Sequence, residues 1–214
     1  MSNVAQPYPH AAEGDEVEDV KDRLRTAIRA ARKTHSQRLR DEAAVALADV
    51  VAHIPAVAAA KVVSVYAARP YEPGTDALLE LLAARGTRIL LPVLGSGLQR
   101  DWAEYAGPDD LRERAPGRPP EPGGPTLGPE ALAEAEAIIA PALAVDTEGA
   151  RLGQGGGWYD RALEHARPGT PVIALAYPEE LYDATTRPLP REPHDRTVDA
   201  VATPEGWRSV GPTG

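Results

Sequence analysis

The chain has 214 residues, 32 acidic against 23 Lys and Arg, a formal net charge of −9, and neither Cys nor Phe. That balance disfavours broad binding to a nucleic-acid backbone, and the lack of Cys excludes disulfides, a thiolate nucleophile and cysteine metal sites. No apolar run approaches a membrane span, and the acidic, polar start MSNVAQPYPH is no signal peptide, so a cytoplasmic protein with no membrane partner is expected.

The length suits one domain, whose core must be built from Ala, Val, Leu and Ile. Residues 1–19 lack apolar periodicity and read as a disordered N-terminal tail. From Val20 the pattern turns helical: Val20, Leu24, Ala27, Ile28, Ala31 and Leu39 fall close to one face. Basic residues, among them Lys21, Arg25 and Arg29, crowd the rest. A second helix is expected from Asp41 to about His53, before Ile54-Pro55. KVVSVY (61–66) reads as a buried strand, followed by a helix that Thr75 can cap and Gly86 can end. RILLPV (88–93) is the next strand, and LQRDWAEY (98–105) alternates as an edge strand does.

Residues 106–129 hold seven Pro and five Gly, which predicts a long loop. AEAIIAPALA (135–144) contains a buried strand, and residues 151–169 read as a glycine loop entering a helix. PVIALAY (171–177) and TVDAVAT (197–203) are further strands, with a short helix near Glu179–Tyr182 between them. Alternating strands and helices imply a single α/β domain over 20–206, with a mostly parallel sheet flanked by helices and a C-terminal tail at 207–214.

The most informative stretch is PALAVDTEGARLGQGGGWYDRAL (141–163). Glycines let backbone N–H groups turn toward an anion, and a helix N-terminus adds a partial positive charge. Arg151, expected at the loop's mouth, and Arg161 could pair with phosphate oxygens. A P-loop order is lacking, and Trp158 breaks the dinucleotide fingerprint. Lys21 and Arg25 lie four apart on one helical face, either as a solvated basic stripe or as an anion clamp. Glu72 could accept from ring N–H groups or simply turn the chain before Pro73-Gly74. Trp102 could stack on a flat ligand or fill the core.

The run from Asp146 to Arg161, D-x-x-G-x-RLG-x-G-x-G-W-YD-R, resembles the signature of 5-formyltetrahydrofolate cyclo-ligases, also called methenyltetrahydrofolate synthetases. The resemblance extends over residues 20 to about 206, taking in Lys21 and Arg25, the Glu72 region and a His194 to Asp199 segment. It implies a fold like those of sugar-phosphate isomerases and CoA transferases. It also implies a monomer acting on ATP and 5-formyltetrahydrofolate, with or without a polyglutamate tail, with magnesium and without nucleic acid. ATP would be held by Lys21, Arg25 and the loop residues Arg151, Leu152, Gly153, Gln154, Gly155, Gly156, Gly157, Trp158 and Tyr159. Folate would meet Ala67, Glu72, Gln154, Gly155, Gly156, Gly157 and Trp158. Asp160 and Asp195 match the magnesium positions, with Asp199 a structural residue, and Lys21 and Arg151 would stabilise charge during the reaction. ATP would phosphorylate the formyl oxygen, and the neighbouring folate nitrogen would then displace phosphate. Gln154 and Gly156 stand where some relatives carry basic residues, and Trp158 replaces the more usual Tyr. Rival readings are another ATP-dependent ligase or kinase, a sugar-phosphate isomerase-like enzyme, and a non-catalytic nucleotide-binding member.

Overall fold

A computed structural model describes residues 14–94, 100–114 and 117–211. Most of the expected tail, positions 98–99 of the edge strand, 115–116 of the Pro-rich loop and 212–214 lie outside the described residues. Helix α1 spans Val17–Arg32, three residues earlier than its apolar pattern suggests, and α2 spans Gln37–Ala52. The break falls where Ser36 adopts extended backbone and its hydroxyl accepts from Leu39 N. Leu39 is therefore not part of the first helix's buried face, and it is exposed. Pro55 does not simply stop α2; it opens the short helix α3 (Pro55–Ala59), where its missing N–H is harmless.

The strands are β1 Val62–Ser64, β2 Arg88–Val93, β3 Asp101–Glu104, β4 Ala137–Pro141, β5 Ala144–Asp146, β6 Arg151–Leu152, β7 Val172–Leu175, β8 Leu181–Tyr182, β9 Ala200–Thr203 and β10 Gly206–Ser209. Helix α4 covers Asp76–Ala84, and α5 covers Trp158–Ala162. Seven strands form the main sheet in the order β10-β9-β7-β4-β1-β2-β3. Pairs from β2 through β9 are parallel, and only the edge strands β3 and β10 run antiparallel. Its middle strands are buried on both faces, which is why they read as continuous apolar runs. Helices α2 and α4 pack together against this sheet, α2 on β9 and β10 and α4 on β2. The sheet continues past residue 206, because β10 pairs with β9 where a tail was expected.

The expected strand at 135–144 divides. β4 belongs to the main sheet, whereas β5 joins β6 and β8 in a small sheet of order β6-β5-β8. This small sheet carries a second core, formed by Val20, Leu24 and Ile28 of α1 with Leu143, Ala144, Ala150, Leu152, Tyr182 and Leu189. Burying each Val, Leu or Ile contributes about 1.5–3 kcal/mol, which fixes α1 on that sheet by one stripe. The expected helix near Glu179 is a single 3-10 turn, Pro178–Glu180, leading into β8. Among the described residues no helix is long and apolar enough to cross a membrane.

Candidate active site

Strand order reverses between β1 and β4: the chain runs from β1 out through β2 and β3, then returns to β4 on the other side. Segments leaving two such strands diverge and open a crevice at their carboxyl ends. A cavity of about 370 Å³ lies there, lined by Tyr66, Ala67, Arg69 and Glu72 after β1, Pro92 and Leu94 around the end of β2, and Pro141 at the end of β4. Lys21 and Arg25 enter it from α1, and the whole run from Arg151 to Arg161 forms another wall. Asp195 completes it, with Glu192 and His194. Every residue singled out from sequence for ATP, folate or magnesium thus borders one space.

The glycine loop is held from several sides. Asp146, buried, accepts from Glu148 N and Ala150 N through one oxygen and from Leu189 N through the other. Gly155 has φ +102° and Gly157 φ +56°, values that side chains other than glycine's rarely adopt. Arg161 donates to Gly156 O at 2.9 Å, and Arg25 Nε donates to Gly153 O at 3.2 Å. The helix after the loop is shorter than expected: α5 has five residues and passes into a 3-10 turn at Leu163–His165. Its axial dipole is correspondingly weak, so the charges facing the cavity are mainly those of side chains.

Arg151 is not at the loop's mouth. It is buried, donating to Pro141 O at 3.2 Å and to Asp160 at 2.9 Å, while its Nε has no partner. Trp158 Nε1 and Tyr159 OH are likewise buried and unpartnered. These three donors belong to residues lining one cavity and have no protein partner. Burial drives the Tyr159 phenol far above its usual range, so it stays protonated as a donor. Trp102 is fully buried and packs edge to face on Trp158 at 5.4 Å, which settles it as core.

Lys21 lies 2.7 Å from Asp195 and 2.8 Å from Glu192. Burial pulls the Lys21 ammonium down, but its bonds to the two carboxylates outweigh this and hold it above its usual range. Asp195 behaves conversely: burial pushes it up, and the Glu192 N–H and Lys21 bring it below the usual aspartate range. Asp160 accepts from Arg151 and also from Arg196 N at 3.3 Å, which ties it to the residue after Asp195. Ligand atoms of Glu192, His194 and Asp195 lie within 4.8 Å of one another. The two carboxylates offer oxygen atoms of the kind magnesium takes, and Asp160 lines the same cavity outside that group. Asp199 instead accepts from Val172 N at 2.8 Å, a sheet contact, as its position in the sequence suggests.

Glu72 is buried and touches the glycine loop directly, rather than facing it across the cavity. Gln154 Nε2 donates to Glu72 Oε1 at 2.7 Å, and Arg69 N donates to Oε2 at 2.8 Å. Ala67 is buried beside it. Several lining residues escaped sequence reading: Tyr66, Arg69, Glu192, and Pro119 and Pro120 of the Pro-rich loop. Glu192 was within reach, standing three residues before Asp195 as Lys21 stands three after Glu18. The prolines carried no chemical signal.

Fold and site define an α/β protein with a crevice at a topological switch point, lined by both basic and acidic side chains. Residues 17–204 match the model of the 5-formyltetrahydrofolate cyclo-ligase family. The 5-formyltetrahydrofolate cyclo-ligase of Mycolicibacterium smegmatis is 37% identical over 190 residues, covering 86% of this chain and 94% of that protein. The 5,10-methenyltetrahydrofolate synthetase structure from Aquifex aeolicus superimposes with a TM-score of 0.75 at 25% identity, covering 91% of this chain and 95% of that one. The Mycoplasma pneumoniae synthetase structure, 20% identical with a TM-score of 0.66 over 86% of this chain and 98% of its own, shares the fold. The chain belongs to the 5-formyltetrahydrofolate cyclo-ligase family.

Proposed function

We propose that this chain converts 5-formyltetrahydrofolate to 5,10-methenyltetrahydrofolate with ATP as co-substrate, releasing ADP and phosphate. The observation that carries the reading is the convergence of Lys21, Arg25, the glycine loop and Glu72 on one cavity at the switch point. ATP phosphates would lie along residues 151–159, within reach of Lys21 and Arg25. Folate would place the donor edge of its ring toward Glu72, against Ala67 and Trp158, and would share the loop from Gln154 to Gly157. The γ-phosphoryl group would pass to the formyl oxygen. The neighbouring folate nitrogen would then bond to the formyl carbon, phosphate would leave with that oxygen, and the nitrogen's proton would go to solvent. Alignment and charge neutralisation are the protein's tasks in such a reaction.

Asp160 and Asp195, with Glu192 beside them, would hold magnesium, which when bound offsets charge on the phosphate oxygens. Those acids are the present partners of Arg151 and Lys21. With the carboxylates engaged elsewhere, Lys21 and Arg151 become available to the transferring phosphoryl group. The reading takes the chain to act as a monomer, and we place the reaction in the cytoplasm, where ATP is supplied. The test is the appearance of methenyl absorbance from 5-formyltetrahydrofolate, ATP and magnesium. Chelation by EDTA or omission of ATP should each abolish it. Equal turnover without either would overturn the reading.

A further inference from the structure

Arg29 stands outside the cavity, yet it is bonded to the one residue that connects the glycine loop to Glu72. It lies four residues beyond Arg25, on the stripe of α1 that carries Lys21. Its Nη2 donates to the Gln154 carbonyl oxygen at 2.8 Å and to Gln154 Oε1 at 3.0 Å, and its Nε reaches Oε1 at 3.2 Å. On the other side of the same amide, Nε2 donates to Glu72 Oε1 at 2.7 Å. A guanidinium can only donate and a carboxylate can only accept, so these neighbours permit one orientation of the Gln154 amide. The flip would set NH₂ against the guanidinium and oxygen against the carboxylate. A cation on the carbonyl end also polarises the amide and strengthens its N–H as a donor.

We propose that Arg29 is a positioning residue that acts through Gln154 to set the Glu72 carboxylate for the folate ring. This rests on the proposed role of Glu72 and adds a residue that itself touches neither substrate. The chain supplies a neutral side chain at position 154 and brings the charge from α1 instead. Because Arg29 is exposed, its removal opens no cavity and should leave the melting temperature unchanged.

The experiment compares Arg29→Ala, Arg29→Lys, Gln154→Ala and the double variant R29A/Q154A. Arg29→Ala should raise the KM for 5-formyltetrahydrofolate about tenfold, the loss of one charge-supported contact, with kcat and the KM for ATP within about twofold. Arg29→Lys, which lacks the fork, should recover part of this. Two residues acting through one contact are not additive, so R29A/Q154A should be no worse than Q154A. Multiplying effects in the double variant, or an equal rise in the KM for ATP, would overturn the proposal. If the unaltered protein forms no methenyl product, the functional reading itself has failed. The relay is then read in the free protein by NMR: the Gln154 side-chain NH₂ signals should shift and exchange faster with solvent in Arg29→Ala. Unchanged signals would overturn it.

Discussion

Neighbouring glycines of the loop have different jobs. Gly155 needs its positive φ, and a Cβ there would meet the Arg25 guanidinium at 3.4 Å. Gly156 lacks a positive φ, and a Cβ there meets nothing within 4 Å. Gly155→Ala should therefore destabilise the fold by about 1–3 kcal/mol, whereas Gly156→Ala should change stability by about 0.5 kcal/mol or less. Urea denaturation separates them, and equal losses would show that the loop tolerates neither for a shared reason. The Lys21–Asp195 pair makes a pH prediction. Asp195 titrates below its ordinary 3.8 in the fold, so its contribution is complete above that value and fades as pH falls through the lowered one. Lys21 titrates above 10.5, so its contribution is complete below that value and fades as pH rises through the raised one. The stability difference between the unaltered chain and Asp195→Asn should shrink below about pH 4. Denaturation midpoints across pH would check it; a change near neutrality would assign the effect to another group.

At the scale of elements, α1 determines where Lys21, Arg25 and Arg29 point, and its far end is anchored by an ion pair. Arg32 donates to both oxygens of Glu180 at 2.6 and 2.8 Å, and both residues are buried. Arg32 also donates to Ala142 O at 2.7 Å, and Glu180 accepts from Tyr177 N. Removing one partner leaves a charge uncompensated, so Glu180→Leu should cost about 3–5 kcal/mol. R32M/E180L should recover most of that loss in a thermal melt, short of the unaltered chain because the Ala142 carbonyl and the Tyr177 N–H lose their partners. A double variant no better than the single would mean that the pair holds α1 by shape rather than charge. The short α5 teaches the complementary lesson. A glycine loop followed by W-Y-D-R-A-L looks like an anion site on a helix end. Here one short helix supplies little dipole, and two cations of α1, Arg25 and Arg29, bond to the loop instead.

Across the whole molecule the two cores are unequal. The larger fills the space around the seven-stranded sheet, and the smaller seats α1 on the three-stranded one. Regions that bury less apolar surface open first, so amides of α1 and β6 should exchange with deuterium before those of β4 and β7. ATP with magnesium should slow exchange in α1 and β6 selectively, because the cavity's cations span both. Uniform protection everywhere would indicate one cooperative unit.

Period and composition sufficed for the α/β class, the middle strands and the length of the motif from Asp146 to Arg161, because burial on both faces and glycine conformations leave local marks on a sequence. Lys21 and Arg25 were legible as a stripe, since helical spacing is itself local. The division of residues 135–144 between two sheets, the pairing of Trp207 and Arg208 in β10, and the retreat of Arg151 beneath the loop were not. Each depends on which distant backbone or carboxylate completes a hydrogen bond. The same reason hid Arg29, one basic residue among several on its helix. Only the tertiary structure sets it against Gln154, 125 positions away, and through it against Glu72.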